Sequence, residues 1–248
     1  MRSLLLAPML ATSIAALAAC GDDPQHFVDA GPIDAAGHDA EASCGTAADA
    51  LPVYLNRGGG TYSGGDEDPA TNHTSIVKGV VTVSPYTVSE PAWAELRACV
   101  ETYLAPFKLR VTEVDPGTAD HLEIVFAGNR STELLGASGV TEVSPSSCAV
   151  SRDSIHFVFP AELPAPPPAL LCKLAAQAVG HAATLDFTPD CSDIMAYGLG
   201  SPTCSGAGGF TDSDLDCGTT EPAGCACNGD TFQRNSFLTM VAAYGRCE

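Results

Sequence analysis

Eleven cysteines in 248 residues constrain this chain most, because their chemistry depends on which side of a membrane they reach. The N-terminus decides that. Arg2 supplies a short positive segment, and Leu4 to Leu17 is an apolar run of signal-peptide length, too short for a permanent membrane helix. The run ends in Leu17-Ala18-Ala19-Cys20. Setting Cys20 aside leaves ten cysteines, Cys44, Cys99, Cys148, Cys172, Cys191, Cys204, Cys217, Cys225, Cys227 and Cys247. In an exported chain such an even set favours disulfides over free thiols. Spacing does not reveal the pairing, except that Cys225 and Cys227 stand too close for good disulfide geometry and are expected to seek different partners. A zinc knot of Cys204, Cys217, Cys225 and Cys227 is the competing reading, weakened by the lack of two C-x-x-C pairs.

Leu17 to Cys20 resembles a bacterial lipobox, which implies cleavage after residue 19 and acylation of the Cys20 thiol. An ordinary cleaved signal with an incidental Cys20 is the alternative. No later segment approaches the length of a membrane helix, so membrane contact is expected only through the lipid anchor, at the bacterial cell envelope. Residues 1–19 then form the signal peptide. Residues 20–50 form a lipidated, flexible tether: 21–50 carry seven acidic residues and no Lys or Arg, too polar to offset the entropy of ordering. Cys44 would staple its far end to the body. The formal charge of −19, −20 once Arg2 leaves, argues against nucleic acid as a partner.

Residues 51–248 are long enough for one domain with a real core. Residues 51–55 read as a strand, followed by a Gly-rich acidic loop to Asn72 and a β-rich stretch over 76–83. Residues 91–107 read as a helix burying Trp93, Leu96, Val100, Tyr103, Leu104 and Phe107. Strands are expected over 109–114, 122–126 and 154–159, and helices over 169–183 and 231–244, the last packing through Phe232, Phe237, Leu238, Val241 and Tyr244. This order predicts an α/β or α+β sandwich. Asp212-Ser-Asp214-Leu-Asp216 alternates like a calcium loop but lacks the closing Glu, and reads as a solvated turn or cap. There is no G-K-[ST] phosphate loop and no G-x-S-x-G elbow.

Leu174 to Tyr197, LAAQAVGHAATLDFTPDCSDIMAY, is the segment with chemical content. An apolar helix carries His181, and Asp193-Ile194-Met195-Ala196-Tyr197 follows after a turn. The segment resembles the H-E-x-x-H-x-x-G-x-x-H helix and Met-turn of the metzincin zinc metalloproteases. The resemblance covers about 51–248, with its specific residues in 172–197. It implies a twisted mixed sheet, an active-site helix, a Met-turn under the metal (Met195, Tyr197) and a closing C-terminal helix.

Laid on that frame, Gln177 replaces the first zinc-binding His, Ala178 the general-base Glu, Thr184 the Gly and Phe187 the third ligand, while His181 matches the second. A zincin needs paired imidazoles, a third ligand and a carboxylate to take the water proton. Here no catalytic residue is expected, because Ala178 occupies the general-base position. The conceivable metal ligands are His181, Gln177 and Asp186, so zinc is the one cofactor to consider. Phe187 is expected to fill the vacated site, and Thr184, being β-branched, to reshape the turn. Met195 and Tyr197 read as packed residues.

The resulting expectation is an exported lipoprotein whose metzincin-like domain binds a peptide or protein without cleaving it. One alternative is an atypical zinc metallopeptidase using Gln177, His181 and Asp186, with Asp190 or Asp193 as base. The other is a purely structural envelope domain.

Overall fold

The runs Leu122–Phe126 (LEIVF) and Ser154–Val158 (SIHFV) are buried at every position, as strands must be when both faces of a sheet are covered. They form the centre of a five-stranded mixed sheet in a computed structural model that describes residues 49–128, 134, 142–199, 204, 208–227 and 231–247. All of these fall in the unit Glu41–Glu248. The expected signal peptide, the expected lipidation site at Cys20, most of the expected tether and Cys44 lie outside the described residues.

In chain order the strands are β1 (Leu51–Asn56), β2 (Gly60–Gly64), β3 (His73–Thr74), β4 (Val80–Val83), β5 (Leu109–Thr112), β6 (Leu122–Phe126), β7 (Glu142–Val143), β8 (Ser154–Val158), β9 (Asp214–Asp216) and β10 (Gln233–Asn235). The main sheet runs β5-β1-β6-β8-β7. Its first four strands are parallel, and β7 closes the order antiparallel to β8, with Glu142 opposite Val158 and Val143 opposite Phe157. A small sheet, β3-β2-β4, and a two-stranded pair, β10-β9, complete the β structure described.

Two helices supply the main core. α1 (Glu90–Leu104) starts where Ser89 Oγ accepts the Ala92 N–H and Pro91 occupies the first turn. α2 (Pro168–Ala182) packs against α1, and Cys99–Cys172 ties the two together. Trp93, Leu96, Val100, Leu104 and Phe107 meet Leu171, Leu174, Ala175, Ala178 and Val179 over Val53, Leu55, Ile124 and Phe126. A second core joins Tyr62, Val77 and Val83 to Val125, Ile155, Phe157 and Phe159. α3 (Ser236–Tyr244), capped by Asn235 on the Leu238 N–H, ends the chain's helical structure. The fold is therefore a mixed α+β arrangement, as the element order predicts, and no helix among the described residues is long and apolar enough to cross a membrane.

Disulfides join Cys99–Cys172, Cys148–Cys227, Cys191–Cys204 and Cys217–Cys225, and Cys247 is disulfide-bonded as well. Cys225 and Cys227 do take different partners. The four cysteines of the competing zinc knot are all bonded, which removes that reading for the oxidised protein.

Several boundaries differ from expectation. The loop before Asn72 contains β2, whose Tyr62 drops into the second core. Within 76–83 only Val80–Val83 pair. Helix α1 stops at Leu104, and Phe107 is buried beyond it. The last helix begins at Ser236, not Thr231, because Gln233–Asn235 pair with Asp214–Asp216. The Asp-rich segment expected to be a turn is thus a strand. Phe232 and Leu238 are exposed, and Met240 packs inside with Tyr244.

Candidate functional site

Helix α2 ends in a hydrogen-bonded reversal that sets the site. The Leu185 N–H reaches Gly180 O at 3.0 Å and the Thr184 N–H reaches His181 O at 2.9 Å, the pairing of a Schellman cap. Thr184 takes φ 70°, so the chain leaves the helix left-handed although the residue is β-branched. The reshaped turn expected from Thr184 does not occur. Arg234 explains why: it donates to the Thr184 carbonyl oxygen and, at 3.0 Å, to Thr184 Oγ1. A two-pronged guanidinium holds a conformation that Thr alone resists.

This reversal fixes the imidazole of His181. Its Nδ1–H donates to Leu185 O at 2.8 Å, so in the neutral ring Nε2 presents a lone pair. That atom is buried and has no hydrogen-bond partner. Glu142 Oε2 stands 3.7 Å away, on a side chain only 6% exposed. Burial raises the Glu142 pKa, while His181 and a hydrogen bond from Ser144 lower it.

A polar chain continues behind the pair. The Ser144 hydroxyl donates to Glu142 Oε1 and also lies 2.7 Å from His156 Nδ1, while His156 Nε2 lies 2.9 Å from Ser154 Oγ. Burial, reinforced by His181, drives the His156 pKa down to about 3, so this imidazole is neutral and joins two hydroxyls. The depressed pKa makes it a weak base, which argues against Ser144 as an activated nucleophile.

The Glu142–His181 pair opens onto a cavity of about 430 Å³. Residues 142–147 at the β7 margin form one wall, and His181 with 184–187 forms another, closed by Ala226 and Cys227. The Cys148–Cys227 disulfide holds these segments together. A second cavity, about 200 Å³, also touches His181 and reaches His156 and Ser154.

The residues singled out by the zincin frame are distributed unevenly. His181, Asp186 and Phe187 line the larger cavity. The Phe187 ring, at the sequence position where the zincin frame has its third ligand, stands nearly perpendicular to the His181 ring with centroids 4.7 Å apart. Gln177 is buried and turned away: its amide donates to Ile194 O and Ala196 O, both at 3.1 Å. Ala178 lies wholly in the main core. The donor set His181, Gln177 and Asp186 therefore does not fit a zinc ion, since the amide of Gln177 is committed to the Asp193–Tyr197 turn and Asp186 Oδ2 accepts the Ala226 N–H.

The carboxylates offered as alternative bases are also placed elsewhere. Asp193 is fully buried, accepting the Met195 and Thr211 N–H groups and the Ser236 hydroxyl. It anchors the turn. Asp190 is exposed, and the Ser192 N–H holds its carboxyl below the usual range. Met195 is buried under α2, where a Cβ on Gly180 would collide with its sulfur. Tyr197 departs from expectation: it is 47% exposed, with its ring edge-on to Phe187.

Asp186, Cys217 and Cys225 form a potential metal-binding triad, their ligand atoms within 4.8 Å of one another. Because Cys217 and Cys225 are joined in a disulfide, thiolate ligation there requires reduction.

Glu142 is the functional candidate that sequence reasoning misses. It lies in a two-residue strand with no motif around it, and only sheet pairing carries it to His181. No family model, no curated protein and no solved structure matches this chain.

Proposed function

We propose that this protein is an exported, lipid-anchored envelope protein whose metzincin-like domain binds an extended peptide beside β7 and does not cleave it. The observation that carries this reading is the cavity of about 430 Å³ between residues 142–147 and His181–Phe187. It lies at the strand that ends the sheet order, where a peptide can add as a further strand and place alternate side chains in the recess. Support for the metzincin-like part comes from the mixed sheet with one antiparallel edge strand, the helix bearing His181, the left-handed exit at Thr184 and the buried Met195 beneath Gly180. Phe187 against His181, and Gln177 bound to the turn, explain why binding and not metal-dependent cleavage is the proposed outcome.

The test is to incubate the purified, protease-free mature protein with a mixed peptide library. Retained peptides should be intact by mass spectrometry. Hydrolysis that a chelator abolishes would overturn the reading. Glu142, which brings a carboxylate beside His181, is the observation favouring that second reading, an atypical metallopeptidase.

A further inference from the structure

One buried acceptor at the cavity lacks a donor, and a carboxylate oxygen from the facing wall stands beside it. His181 Nε2 is buried without a partner because Nδ1 carries the proton to Leu185 O. Glu142 Oε2 stands 3.7 Å from it, and its sister oxygen already takes the Ser144 hydroxyl. A buried acceptor without a donor costs about 1–3 kcal/mol, and a buried carboxylate gains most from a cationic donor. Asp186 adds a second carboxylate to the lining, and no Lys or Arg lines the cavity among the described residues. The Phe187 ring packs against the imidazole at the same corner.

We propose that this corner is a subsite for a primary ammonium group, supplied by a lysine side chain or the N-terminal amine of a bound peptide. The ammonium donates to His181 Nε2 and to Glu142 Oε2, and Asp186 supplies the longer-range field. A metal ion would compete for the same two atoms. The formal charge of −19 draws cationic ligands toward the protein as a whole. The inference rests on the reading of the cleft as a peptide site and narrows what that peptide presents.

Two arms separate the inference from the reading beneath it. In the first, N-acetyl-lysine methylamide and its norleucine counterpart are titrated into the mature protein while the ring-nitrogen NMR signals of His181 are followed. The lysine compound should shift the Nε2 signal and bind on the order of tenfold more tightly than the norleucine compound. Glu142→Gln should remove most of that difference, and Asp186→Asn, at a more exposed position, should reduce it. Equal binding of the two compounds overturns the subsite, as does stoichiometric zinc binding that excludes the lysine compound.

In the second arm, hexapeptides with Lys, norleucine or Glu at one internal position are compared. Preference for Lys supports the inference. Tight binding of all three without preference overturns it and leaves the peptide-binding reading standing. Binding of the lysine amide with no peptide retained overturns the peptide-binding reading and leaves the ammonium subsite.

Discussion

Around Glu123 and around Glu142 the chain buries a carboxylate, yet the two clusters finish their hydrogen bonding differently. Glu123 Oε1 accepts from Asn56 Nδ2 at 2.7 Å and from the Tyr62 hydroxyl at 3.0 Å. Asn56 also accepts the Gly58 N–H, and no atom of these three side chains is buried without a partner. The Glu142 cluster is longer, running through Ser144 and His156 to Ser154, and it ends on the orphaned Nε2 of His181 beside a cavity. A closed network specifies a loop position, here holding β2 against the sheet. An open one leaves a donor to come from outside.

If the Glu123 cluster is structural, breaking it should have the largest effect. Glu123→Ala leaves the buried Tyr62 hydroxyl without its acceptor and a void beside Asn56, whose amide keeps Gly59 O and Tyr62 Oη, and thermal unfolding should show a loss of about 3 kcal/mol without change in peptide binding. A change in binding with unaltered stability would reverse the comparison. Next, Gly180→Ala forces Met195 aside beneath the helix that carries His181. Denaturant titration should report a loss of about 2 kcal/mol, and a neutral outcome would mean that Met195 repacks freely.

The third prediction concerns pH. His156 has a folded-state pKa of about 3 against an ordinary 6.5, so the unfolded chain takes up the proton first. The stability it contributes is complete above pH 6.5 and is lost as pH falls toward 3. Relative to His156→Gln, the native protein should lose about 1.4 kcal/mol per pH unit between pH 6 and 4, read from unfolding curves at each pH.

The smallest change is expected for Glu142→Gln. The pKa of Glu142 is raised by burial, so its stabilising contribution is present at low pH and is lost as pH rises through the folded value. Gln keeps an acceptor for Ser144 and avoids the buried charge. Stability at pH 8 should stay within about 1 kcal/mol of the native protein or exceed it, while discrimination between the lysine and norleucine compounds collapses. A large loss of stability instead would class this cluster with that of Glu123.

Much of the scaffold is legible along the chain because its signals are local. The apolar face of α1 from Trp93 to Leu104, the strands β6 and β8, and His181 on an apolar helix ahead of Asp193–Tyr197 all show in spacing alone, whereas the burial of Glu123, Ser154 and His156 within those strands does not. The misses involve residues whose partners are far away in sequence. Gln233–Asn235 continue a helical pattern yet pair with Asp214–Asp216. Thr184 holds a left-handed φ only because Arg234, fifty residues on, bonds it twice. Gln177 faces one turn before His181, as a ligand would, but its amide has two carbonyls to satisfy.

By itself, then, the sequence determines the apolar run Leu4 to Leu17, the even set of ten cysteines after Cys20, and the helix with one histidine followed by the Asp193–Tyr197 turn, since periodicity and composition act over a few residues. Tertiary structure alone decides which cysteines meet, that Phe187 closes on His181, and that the carboxylate of Glu142, thirty-nine residues earlier, stands beside the imidazole of His181. Such choices depend on strand order and on which buried polar atoms find partners. Neither is written in local spacing.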